Sequence, residues 1–262
     1  MASRETSFDE WEDGEGRHRQ IGPQWSERHR LLVLGDDGEP AMAMSVGIDG
    51  TLRHHAASFQ CVVFEDGGPP VVIAEDGIPV PDERWELRTS GLWTDNICEA
   101  PYRHWSYGLE AFALEIDDPA ELLGRGYGRR VPLGWELEFE GAPDAVARWP
   151  VVDGGAYGQP GRVDGLLLFA GRSRPLIGDA VRQHWWGPNA AVPIELLDMQ
   201  AELGTASNGP SPDDGDDRGT ASASPVGLPL ESGVWWLSWL DGGDGWLSSR
   251  TEPSPDGPGP QR

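Results

Sequence analysis

Leu133-Gly134-Trp135-Glu136-Leu137-Glu138-Phe139-Glu140 decides the fold class. Leu133, Trp135, Leu137 and Phe139 share one parity, and three glutamates share the other. Successive side chains of an extended chain point to opposite faces, so this is a strand with one apolar face and one wet face. One-sided alternation of that kind belongs to antiparallel sheets that cover a core on one side only.

Upstream, the same language recurs in short pieces. Apolar runs at Leu31–Leu34, Ala41–Ile48, Ser58–Phe64 and Val71–Ala74 are separated by turn clusters at Gly35–Gly38, Asp49-Gly50, Asp66–Gly68 and Asp76-Gly77. Punctuation at this spacing predicts antiparallel strands joined by hairpins. Trp85 and Leu87 alternate with Glu86 and Arg88, and a further strand is expected over 107–116. In that strand Glu110 shares parity with Phe112, Leu114 and Ile116, which would set a carboxylate on an apolar face. Asp118–Gly124 predicts one helical turn capped by Asp118.

Downstream, residues 142–160 read as a loop between two halves. A second set of strands is expected at Arg162–Ala170, Pro175–Gly178, Ala180–Trp186 and Val234–Leu240, with Pro193–Leu203 a short helix or strand. The 36 glycines and 23 prolines fit an all-β, turn-rich chain and argue against long helices. The expected organisation is a disordered arm over 1–24, an N-terminal domain over 25–150, a C-terminal domain over 151–250 and a tail over 251–262. Residues 204–229 have too little apolar content to order themselves and read as a disordered insertion in the second domain.

Charge narrows the function. Twenty basic residues, all arginine, face 44 acidic ones, for a formal charge of -24. Such a chain repels phosphate backbones, so nucleic acid is excluded as a partner, and most of the acidity is a solvated surface. No apolar run reaches the ~18 residues of a membrane span. Met1–Glu10 is polar and acidic, unlike a signal peptide, which predicts a cytoplasmic protein. Cys61 and Cys98 lack redox or zinc spacing and read as reduced, buried thiols.

Three tracts concentrate chemistry. In Arg182–Gly187, extended geometry puts Arg182, His184 and Trp186 on one face. In Val234–Asp241 it does the same for Trp235, Leu237, Trp239 and Asp241. Together they would point an imidazole and a carboxylate into a wall of indoles, where an unpartnered carboxyl has a raised pKa. The third tract, Gly91–Glu110, carries Trp93, Asp95, Glu99, His104, Trp105, Tyr107 and Glu110. Its bland reading is a set of rim and turn residues. Its functional reading is a cavity wall in which Asp95, Glu99, His104 and Glu110 orient or titrate. His54-His55 has no third ligand nearby, and no metal is implied. Gly124–Gly128 lacks the setting and the lysine of a phosphate loop, and no serine sits in a Gly-x-Ser-x-Gly elbow.

The run Gly178-Asp179-Ala180-Val181-Arg182-Gln183-His184-Trp185-Trp186-Gly187 resembles the arginine…His-x-Trp-Gly element of carotenoid 1,2-hydratase (hydroxyneurosporene synthase) and its lipocalin-like relatives. Trp239-Leu240-Asp241 occupies the place of that family's later aromatic-x-Asp, with Trp where the family typically has Tyr. The resemblance implies two lipocalin-like antiparallel β-barrel or half-barrel domains packed around an apolar cavity. It also implies a cofactor-free enzyme acting on a hydrophobic polyene, terpenoid or polyketide substrate by acid-initiated hydration, isomerisation or cyclisation. Asp241 would be the acid, and His184 would orient it or handle water. Trp186, Trp235 and Trp239 would stabilise a cation, and Arg182 would pair with a carboxylate. Glu110, Asp95 and His104 are alternative acid–base residues. The rival readings are a non-catalytic carrier of a hydrophobic ligand, a pericyclase that only shapes its substrate, and an acidic accessory protein.

Overall fold

The computed structural model describes residues 16–18, 25–35, 40–50, 55–64, 68–80, 85–116, 128–151 and 153–188. Twelve strands run through them, all paired antiparallel in one sheet. In chain order these are β1 (Trp25–Leu34), β2 (Pro40–Gly50), β3 (His55–Val63), β4 (Val71–Ile78), β5 (Trp85–Arg88) and β6 (Leu92–Ala100). There follow β7 (His104–Glu115), β8 (Arg129–Gly141), β9 (Ala147–Val151), β10 (Gly154–Phe169), β11 (Arg172–Pro175) and β12 (Gly178–Pro188). Among the described residues the one helical element is a 3-10 turn at Pro143–Ala145. The all-β, antiparallel expectation is met.

Pairing runs β10–β12–β1–β2–β3–β4–β7–β8, and β8 pairs again with β10, so these strands close into a ring. β4 meets β7 only through Val71 and Val72, opposite Glu115 and Leu114. The β5–β6 hairpin takes the rest of that edge of β7. β9 and β11 extend β10. The expected domain boundary at 150 falls within this sheet, because β10 pairs β8 and β12 pairs β1. The described strands on both sides of it form one sheet.

The inner face follows parity. Leu31 and Val33 of β1 pack with Met42, Met44 and Val46 of β2, Phe59 and Cys61 of β3, and Trp135, Leu137 and Phe139 of β8. Leu133–Glu140 behaves as read: its apolar parity is buried and its three glutamates are exposed. Burying each large apolar side chain contributes about 1.5–3 kcal/mol.

Two expectations are corrected. Residues 142–160 are not a loop: β9 and the start of β10 lie there. The glycines that lower strand propensity are required by packing. A Cβ on Gly155 would collide with the Trp186 indole, and one on Gly161 with the Phe139 ring and the Glu140 carbonyl. Along β7 the buried parity is Trp105, Tyr107, Leu109 and Ala113, not the parity of Glu110 and Phe112. Phe112 is 53% exposed, with the Arg130 guanidinium 4.4 Å above its ring. That cation contact and the strand's larger opposite face make the outward phenyl tolerable.

The sequence expectations for 118–124, 193–203, 204–229, 234–240, 251–262 and His54 lie outside the described residues. The arm expected over 1–24 is described at residues 16–18. No helix among the described residues is long and apolar enough to cross a membrane.

Candidate functional site

The register of β10, β12 and β1 builds the polar part of the barrel interior rung by rung. Trp186 lies opposite Glu27 on one side and Gly155 on the other. One rung further in, His184 lies between His29 and Tyr157; next, Arg182 lies between Leu31 and Gln159. Inward parity therefore brings Glu27, His29, Tyr157, Gln159, Arg182 and His184 together, although they come from distant parts of the chain. All six are buried.

Glu27 is the centre of this group. Its side chain is 0% exposed, and its Oε1 lies 2.9 Å from His184 Nε2. His18, from the segment before β1, places Nδ1 2.9 Å from the same oxygen, and its backbone N–H donates to Oε1 at 3.0 Å and Oε2 at 3.1 Å. Burial pushes the Glu27 carboxyl pKa up, but the hydrogen bonds and positive charge of His18 and His184 outweigh that and hold it below its ordinary value. Glu27 is thus a partnered carboxylate, not a neutral acid.

Stacked rings fix the imidazoles. His18 lies flat on Trp186 with centroids 3.8 Å apart, and His184 lies on His29 at 3.7 Å. Trp85 meets His29 edge-on at 4.5 Å. Burial, with the neighbouring charges of His184, Arg182 and His18, holds His29 well below the usual imidazole range, so it is neutral. Neither of its ring nitrogens, nor the indole nitrogens of Trp85 and Trp135, makes a hydrogen bond to the described residues.

Arg182 is buried one rung deeper. It donates to the Tyr157 hydroxyl and to Gln159 Oε1, both at 2.9 Å. Its guanidinium sits 4.9 Å from the Trp105 ring, 5.1 Å from Tyr157 and 5.7 Å from Phe139. A delocalised, weakly hydrated cation suits such an aromatic cage.

The sequence-predicted residues divide sharply. His184, Arg182, Trp105 and Tyr107 line the interior, and half-buried Trp186 stands where β1 begins. Trp93, Asp95 and Glu99 share a face as read, but it is the outer face of β6; Leu92, Thr94 and Asn96 point inward and are buried. Trp93 Nε1 donates to Glu86, and with Glu110 it lines an open external groove that also includes Arg88, Phe112, Leu168 and Arg172. His104 is partly exposed, 2.7 Å from Glu138 on the outside. Asp95, His104 and Glu110 are therefore not in the interior with His184. Asp241, Trp235 and Trp239 lie outside the described residues.

Sequence reading missed Glu27, His29, His18, Tyr157 and Gln159. The signal for the first two was present: Trp25, Glu27, His29, Leu31 and Val33 are one unbroken parity. The charged residues between them hid it, so the first apolar run was read only from Leu31. No family model, curated protein or solved structure matches the chain.

Proposed function

We propose that the barrel encloses one hydrophobic small molecule with a polar end, and acts on it as an enzyme of hydration, isomerisation or cyclisation. The observation that carries this reading is the neutral, buried His29, whose two nitrogens find no hydrogen-bond partner among the described residues beside His184 and Trp85. A buried polar group in that state costs about 1–3 kcal/mol, which a ligand hydroxyl or carbonyl would relieve. A ring of about eight strands has room for one small ligand. The apolar wall of β2 and β3 suits its hydrocarbon body, and the rungs of β1, β12 and β10 suit its head.

The likeness of Gly178–Gly187 to the carotenoid hydratase element supplies the substrate class: polyene, terpenoid or polyketide. In this reading Asp241 is the acid, and the indoles of Trp85, Trp105 and Trp186 stabilise the developing cation. A non-catalytic carrier is the second reading. It is favoured by Glu27, because the buried carboxylate of the described interior is paired rather than held neutral.

The test is a panel of polyenes and terpenoids, with binding read by quenching of indole fluorescence and products by mass spectrometry. The enzyme reading expects turnover by wild type that disappears in Asp241→Asn while binding persists. Binding by wild type without product leaves the carrier, and no binding at all refutes both.

A further inference from the structure

We propose that His18, Glu27 and His184 bind a divalent first-row transition-metal ion. His18 Nδ1, a Glu27 carboxylate oxygen and His184 Nε2 all lie within 4.8 Å of one another, and both imidazoles approach the same oxygen at 2.9 Å. A tetrahedral ion with bonds of ~2.05 Å holds its donors ~3.3 Å apart. Accommodating one therefore needs each imidazole to withdraw from the carboxylate by a few tenths of an ångström, and the two donor nitrogens, within 4.8 Å of each other, to draw together by up to ~1.5 Å.

The donors are held in place from outside the cluster. Trp186 stacks on His18, His29 stacks on His184, and the His18 backbone N–H donates to Glu27 Oε2. Such outer contacts orient metal ligands and fix their rotamers. Two imidazoles with one carboxylate select zinc, iron(II), cobalt or nickel over magnesium and calcium, which favour all-oxygen sites. Three protein donors leave further coordination positions for water or for a ligand's oxygen. The inference stands whether or not the barrel's ligand is a polyene.

The cluster also has an arrangement suited to its task. Glu27 and His184 sit on paired strands of the rigid wall, whereas His18 reaches them from the segment before β1. The wall thus presets two ligands, and the arm completes the third position.

The test uses the full chain, stripped with a chelator and titrated with Co2+ or Zn2+ in the presence of excess Mg2+. Cobalt gives visible ligand-field bands whose intensity reports coordination number, and equilibrium dialysis gives stoichiometry. One ion per chain is expected, with bands of a nitrogen-containing site. His18→Ala and Glu27→Gln should each weaken binding at least about tenfold with the far-ultraviolet circular dichroism unchanged. His184→Asn should do the same; if it fails to fold, His18→Ala, outside the sheet, still decides. Absence of ligand-field bands, or binding that Mg2+ displaces and the variants leave intact, overturns the proposal as an adventitious ion only on the acidic chain. Polyene binding measured on the stripped protein keeps this result separate from that of the proposed function.

Discussion

Replacing Glu27 by alanine removes the acceptor shared by the His184 ring, the His18 ring and the His18 backbone amide. The side chain is 0% exposed, so no bulk water replaces it. Removing one partner of a buried ion pair costs about 3–5 kcal/mol, because the other is left charged and unpaired. Glu27→Gln keeps the volume and one acceptor oxygen but sets an amide N–H2 among donors, for about 1–3 kcal/mol. Urea unfolding followed by tryptophan fluorescence, in chelator so that no ion contributes, measures both. With a slope of about 1–3 kcal/mol per molar, the alanine variant should lose at least about 1 M in midpoint. The pH dependence has a definite sign. The carboxyl is held below its ordinary value of 4.5, so its contribution is full above that pH and is lost as pH falls through the folded-state value. The gap between wild type and Glu27→Gln should therefore narrow in acid. A midpoint shift under about 0.3 M for Glu27→Ala, or a gap that widens in acid, would refute the buried, ionised assignment.

Two further outcomes test the packing around that centre. Gly155→Ala should cost about 1–3 kcal/mol, because the new methyl meets the Trp186 indole and displaces it from His18; unchanged unfolding and unchanged indole emission would show that the ring is not seated there. Burial pushes the Cys61 thiol above its ordinary 9.0, so iodoacetamide at pH 8 should label half-buried Cys98 first and leave Cys61 untouched until the chain unfolds; equal labelling by mass spectrometry would place Cys61 outside the core.

How much of this was legible depends on which faces are wet. β8 was read correctly because one of its faces is solvated, so its alternation is unmasked. β1 from Arg28 to Leu34 and β12 from Ala180 to Trp185 are buried on both faces, with Arg30 lying 4.8 Å over Trp185. There polar and apolar residues alternate without a solvent signal, and the start of β1, Trp25–Arg30, was not read as strand. β10 was partly lost because glycine and proline normally mark turns, whereas here they let strands and indoles approach closely. The parity error at Glu110 has another cause. Apolar content alone does not decide which face is inner when the opposite parity carries Trp105 and Tyr107. Of the site, the shared face of Arg182, His184 and Trp186 could be read from period two. Their partners could not, because pairing of β12 with β1 joins residues 157 apart, as His184 and Glu27 are.

That long-range pairing also gives the interior its direction. His29 continues across β2 to Val46 and from there to Phe59 on β3, so a single rung passes from imidazole to aliphatic to phenyl. The next rung, Gln159–Arg182–Leu31, continues to Met44 and Cys61 in the same way. Every rung at this end of the barrel is thus polar on one wall and apolar on the other. Arg182 is tolerated in such a place because Trp105, Tyr157 and Phe139 surround it while the Tyr157 hydroxyl and Gln159 Oε1 accept its hydrogen bonds. For the ligand proposed above, a wholly apolar molecule would leave the His29 nitrogens without a partner among the described residues, and a wholly polar one would leave the β2–β3 wall unmatched. Under the proposed function, the ligand would therefore be amphipathic, with its head toward His29 and His184 and its hydrocarbon along Val46, Met44 and Phe59.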